Sequence, residues 1–219
     1  MKYITFTIPC YNSENYMRRC VDSLLVGGED VEILIIDDGS SDRTGAIADE
    51  YEMLYPNIVK AVHKPNGGHG SGVNRGLELA HGLYYKVVDS DDWFDRDAYL
   101  KMLDKIKSFE VAQFPDLIIC NYVYDHLDEG IQKPMNYRNV FPTEKMCNWN
   151  TIGHFHPSQY LIMHALMFQT KVLRQSGVKL PEHCFPISRF RMRRISTIWI
   201  LTCIITTLEG KISRSTRKS

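Results

Sequence analysis

Five runs rich in β-branched and aromatic residues, Tyr3–Ile8, Val31–Ile36, Ile58–His63, Tyr84–Val88 and Leu117–Val123, are separated by stretches with helical character. Those stretches are 14–26, Thr44–Met53, Gly72–His81 and Asp97–Ser108. Regular alternation of this kind predicts an α/β domain with a mostly parallel central sheet flanked by helices, because a parallel strand pair needs a crossover and a helix is the usual one. The punctuation agrees. Pro9 ends the first run, Asn12 or Ser13 is placed to cap the helix after it, and Gly27-Gly28 stops that helix.

In such sheets ligands bind beyond the carboxyl ends of the strands. Three of those ends carry acids or amides here: Pro9-Cys10-Tyr11-Asn12, Asp37-Asp38-Gly39 and Asp89-Ser90-Asp91-Asp92. In VVDSDDW an apolar strand stops at three carboxylates, and Asp-x-Asp at a strand end presents oxygen ligands suited to Mg²⁺ or Mn²⁺ with substrate phosphates. The alternative is a helix start, with Asp89 or Ser90 as N-cap of a helix over 91–107. Asp37 or Asp38 can accept the imide N–H of a uracil, and Tyr11 can stack on a base. The glycines of Asn66–Ser71 let backbone approach a ligand, and Arg75 in the next helix can face a diphosphate.

Composition sets limits. The 219 residues are 44% apolar, enough for a substantial core, and 26 basic residues balance 26 acidic ones, which gives no argument for nucleic acid binding. The six cysteines have no C-x-x-C spacing, no apolar stretch reaches the roughly 18 residues of a membrane span, and the N-terminus enters a strand at once. A reduced, cytoplasmic protein is the expectation, with peripheral contact at the inner face of the plasma membrane as an extension of it.

As an ordered set, FTIPCYNSENYMRRCVDSLL, EILIIDDGSSDRT, NGGHGSGVNRGLELAHG and YYKVVDSDDW resemble the family 2 glycosyltransferases, which have the GT-A fold. The resemblance is strong over 3–110 and continues more weakly to 185. It implies a GT-A domain over 1–185, with a nucleotide-sugar half at 1–110 and an acceptor half at 111–185. By position, Pro9, Tyr11, Glu14 and Asp38 would line the nucleoside pocket, with Asp38 on uracil. Arg75 would lie near the sugar diphosphate, Asp89 and Ser90 at the ribose or sugar, and Asp91, with Asp89, on Mg²⁺ or Mn²⁺. The implied reaction is inverting transfer from a UDP-sugar to a polysaccharide, lipid-linked or other glycan acceptor. It needs a carboxylate base, for which Glu182 is the candidate.

The pattern breaks after Phe185, where an Asp three residues on is expected and Ser188 stands. Residues 186–219 then turn basic, with Arg189, Arg191, Arg193 and Arg194 before the apolar run Ile195–Leu208. One choice of codons for 197–215, read two bases later, encodes HLDINLYHYYIGREDQSV, the continuation the resemblance leads one to expect. A frameshift near codon 186 would thus replace the usual C-terminus and impair turnover, leaving a nucleotide-sugar binder; gene codons that forbid the shifted reading exclude it. The alternative is a genuine basic tail that lies on an anionic membrane surface. His154, His156 and His164 lack an evident carboxylate partner and are read as packing or acceptor contacts.

Overall fold

A computed structural model describes residues 1–126, 131–142, 145–148, 150–157, 159, 161–179 and, by its backbone, 198–208. The elements are β1 (Ile4–Cys10), α1 (Met17–Leu25), β2 (Val31–Asp37), α2 (Thr44–Leu54), β3 (Val59–His63), α3 (His69–Leu79) and β4 (Tyr84–Val87). They continue as β5 (Trp93–Phe94), α4 (Arg96–Ser108), β6 (Leu117–His126), β7 (Ile131–Met135), β8 (Met146–Cys147), β9 (Leu166–Gln169), α5 (Thr170–Ser176) and β10 (Ile198–Leu208).

The strands form one sheet in the order β3-β2-β1-β4-β9-β6-β10-β5, with β7 on β6 and β8 on β10. The expected parallel sheet is the block β3-β2-β1-β4. Beyond it the sheet is mixed: β9 runs antiparallel to both β4 and β6, and β10 is parallel to β6. The apolar run of the tail is therefore paired in the sheet along 198–208 rather than laid out as a surface stretch. Among the described residues no helix is long and apolar enough to cross a membrane.

Every residue of β1 is buried, as a strand covered on both faces requires. The amphipathic helices supply that cover. α1 buries Met17, Cys20, Val21 and Leu24, the spacing that places side chains on one helix face. Phe6 of β1 meets Phe94 and Tyr99 edge-on at centroid distances of 5.5 and 5.6 Å, and Tyr99 donates its hydroxyl to Leu24 O at 3.1 Å. This cluster joins β1, β5, α4 and α1. Arg174 of α5 donates to the carbonyls of Leu77, Glu78 and Ala80, capping the C-terminal end of α3 and tying α5 to it.

Two local expectations are corrected. α1 begins at Met17, not Glu14, and neither Asn12 nor Ser13 caps it through its side chain. Asn12 instead takes φ 51° and accepts from Ser41 N at 2.9 Å, while Ser13 turns toward Ser90. The helix over Asp97–Ser108 is present, beginning one residue earlier at Arg96, and the alternative start at 91 is not taken. Its N-cap is Asp95, whose carboxylate accepts from Ala98 N at 2.8 Å. Trp93–Phe94 stay extended because they pair with β10. Asp89, Asp91 and Asp92 are therefore not helix caps.

Candidate functional site

The register of the parallel block brings three polar loops to one edge. Cys10 lies beside Asp37 and Thr7 beside Val87, so β1, β2 and β4 all run out on the same side. Asp38 N donates to Cys10 O at 2.9 Å and Val88 N to Thr7 O at 3.0 Å, which carries the alignment past the strand ends. Asp89–Asp92 then makes a turn closed by Asp92 N to Asp89 O at 3.0 Å. α3 can sit close over β1 because Gly76 has no side chain: a Cβ there would stand 2.2 Å from Thr7 Cγ2.

Between these loops lies an open cleft of about 410 Å³ lined by Pro9, Cys10, Tyr11, Ser13, Tyr16, Asp38, Asn66, Gly68, His69, Asp89, Ser90 and Asp91. Six residues singled out from sequence meet there: Pro9, Tyr11, Asp38, Asp89, Ser90 and Asp91. Tyr11 is half exposed at its mouth. Glu14 stands behind the lining, where its carboxylate accepts from Arg43 N at 3.0 Å. Arg75 does not line the cleft; its guanidinium pairs with Glu78 one turn along α3 at 3.0 Å. Glu182 and the basic residues 189–194 lie outside the described residues. His154 contributes only its carbonyl, which accepts from Asn139 Nδ2 at 3.3 Å.

Asp38 is buried, and its Oδ1 accepts from the Lys64 ammonium and from Gly67 N at 3.0 Å. That pair of donors fixes the carboxylate and leaves Oδ2 without a hydrogen bond among the described residues. Asp37 faces away from the lining. Burial works to raise its carboxyl, but hydrogen bonds from Ser40 and His63 outweigh burial and hold it below its ordinary value. His63 is raised in turn by its bonds to Asp37 and then Asp49.

The floor of the cleft is electronegative. Cys10 is held protonated first by burial and then by the charges of Asp37, Asp42 and Asp89. Cys20 is pushed up by burial, with Asp92, Asp89 and Asp91 adding to it. Neither thiol is a nucleophile at neutral pH. Among the described residues Lys64 pairs with Asp38 and Arg75 with Glu78, while the imidazole of His69 meets Asp89. The donor set fits a hard divalent ion, since Asp89 and Asp91 offer carboxylate oxygens at the cleft. Such a set suits Mg²⁺ or Mn²⁺, which complete their shell with water and substrate phosphate.

Sequence reasoning passed over Tyr16, Asn66 and His69. His69 sits inside Asn66–Ser71, read as a glycine-rich turn that lets backbone approach a ligand, yet α3 begins at this histidine after Gly68 turns the chain at φ 78°.

Comparison with known proteins bears on the family and the fold. The family model described as Glycosyl transferase family 2 matches residues 5–169. The putative glycosyltransferase EpsH of Bacillus subtilis is 37% identical over 128 residues, 58% of this chain and 36% of the relative. The poly(ribitol-phosphate) beta-glucosyltransferase of Bacillus spizizenii is 38% identical over 184 residues, 82% of this chain and 27% of the relative. The chain thus spans about a third of the length of these relatives. Among solved structures, S. aureus TarS 1–349 in complex with UDP-GlcNAc superposes with a TM-score of 0.74 at 22% identity, covering 100% of this chain and 62% of that one. That likeness shows the GT-A fold.

Proposed function

The chain belongs to glycosyl transferase family 2, and on that premise we propose that it transfers a sugar from a UDP-linked donor to a glycan or lipid-linked acceptor, with inversion at the anomeric carbon. The observation that carries the reading is the meeting of Asp38 with Asp89 and Asp91 in one cleft at the carboxyl ends of adjacent strands. The UDP-GlcNAc held by TarS supports a UDP-sugar as the donor.

Each residue then has a physical task. Asp38, fixed through Oδ1 by Lys64 and Gly67, accepts the uracil imide N–H on Oδ2. Tyr11, exposed at the mouth, stacks on the base. Ser90 and Asp89 accept hydroxyls of the ribose or sugar, and Asp91, with Asp89, would hold the divalent ion. When bound, Mg²⁺ or Mn²⁺ supplies Lewis-acid neutralisation of the charge that builds on the leaving diphosphate. In the transfer an acceptor hydroxyl oxygen forms the new bond to the anomeric carbon as the bond to the diphosphate oxygen breaks on the opposite face. The hydroxyl proton passes to a carboxylate base, with Glu182 the candidate.

Release of UDP from a panel of UDP-sugars in Mn²⁺, with and without glycan acceptors, tests this reading. UDP release with at least one donor is expected. UDP binding without release would remove the transfer step and keep the donor site, and neither binding nor release would defeat the reading.

A further inference from the structure

Among the described residues, three contacts that hold the Asp89–Asp92 turn against its surroundings grip different atoms. Ser13 Oγ and Ser90 Oγ share a hydrogen bond of 2.9 Å, and Cys20 Sγ donates to the backbone oxygen of Asp89 at 3.5 Å. These two fix the turn and its buried serine. The third, His69 Nε2 to Asp89 Oδ1 at 3.0 Å, reaches a carboxylate oxygen. An ionised carboxylate only accepts, so Nε2 carries the proton and donates. Both residues line the cleft, and neither side chain is fully buried.

The imidazole comes from a well-fixed place. His69 is the first residue of α3, entered through Gly68 at φ 78°. The helix is seated on β1 where Gly72 and Gly76 approach Pro9 and Thr7. An aspartate in a surface turn otherwise samples several rotamers, and ordering it on ligand binding costs free energy that a pre-formed bond removes. Arg75, the cation expected to serve the diphosphate from the same helix, is engaged with Glu78 outside the cleft.

We propose that His69 is a positioning residue of the donor site, holding the Asp89 carboxylate beside Asp91 in the orientation that receives the metal–diphosphate group. The proposal rests on the donor-site reading given above. It assigns His69 no contact with the reacting atoms. Its contribution runs through the carboxylate it holds, as an outer hydrogen-bond partner orients a metal ligand.

The test is Mn²⁺ binding in the presence of UDP, followed by the electron paramagnetic resonance signal of free Mn²⁺, for the wild type, His69→Ala and His69→Gln. His69→Ala should weaken Mn²⁺ binding by about 10- to 100-fold, the usual cost of losing such a partner. His69→Gln, which keeps an N–H donor, should recover most of that loss. UDP affinity in EDTA, where His69 acts only through the ribose contact of Asp89, should fall far less than Mn²⁺ affinity, whereas a general loosening of the fold would weaken both alike. His69→Ala equal to the wild type, or His69→Gln as weak as His69→Ala, overturns the role of His69 and leaves the donor site standing. A wild type that binds no Mn²⁺ with UDP overturns both.

Discussion

Ser13 and Ser90, 77 residues apart in sequence, share a hydrogen bond between their hydroxyls at 2.9 Å. It links the loop after β1 to the acidic turn after β4, and both side chains are buried. Removing one hydroxyl strands the other, at a cost of about 1–3 kcal/mol, whereas removing both spares that penalty. Urea denaturation of Ser13→Ala, Ser90→Ala and the double variant should therefore show a double-variant loss smaller than the sum of the singles. Additive losses would mean that the bond does not couple the loops.

The seating of α3 on β1 depends on Gly76. An alanine there gains about 1 kcal/mol of helix propensity. Its Cβ, however, would stand 2.2 Å from Thr7 Cγ2 and 2.3 Å from Thr7 Oγ1, and Thr7 is buried. Overpacking of this kind costs about 1–3 kcal/mol. Gly76→Ala should lower the urea midpoint with an unchanged slope, and a variant as stable as the wild type would contradict the close approach.

His63 bridges Asp37 at 3.0 Å and Asp49 at 2.9 Å, which predicts a pH window. The folded state raises His63 above its ordinary 6.5, so its contribution is complete below that value and is lost as pH rises through the raised one. Asp37 is lowered below 3.8, so its contribution is complete above 3.8 and is lost as pH falls through the lowered one. The difference in melting temperature between the wild type and His63→Gln should be greatest between these limits and shrink at alkaline pH. A difference unchanged from pH about 5 to about 9 would show that the bridge does not depend on the charge of His63.

Much of this was readable from sequence because buried strands and helices announce themselves by period and punctuation. The runs at Ile4–Cys10, Val31–Asp37 and Tyr84–Val87, and the acids that follow them, needed only local pattern. What escaped depends on long-range pairing. LMFQ of β9 is too short to tell from a helix fragment, and its place between β4 and β6 follows from strands distant in the chain. Only the alternative helix start at 91 ran through Trp93–Phe94, whose extension is imposed by β10. Arg75 was placed by residue type, and only the helix geometry shows it facing Glu78. His69 was hidden by the glycines around it.

The most direct test of the donor site is calorimetric titration of UDP into the wild type and Asp91→Asn, each in Mn²⁺ and in EDTA. The wild type should bind UDP more tightly in Mn²⁺ than in EDTA by at least about tenfold, a difference of about 1.4 kcal/mol, and Asp91→Asn should erase that difference. Wild-type binding indifferent to Mn²⁺, or a Mn²⁺ effect that survives Asp91→Asn, would contradict a metal-bridged diphosphate at this cleft.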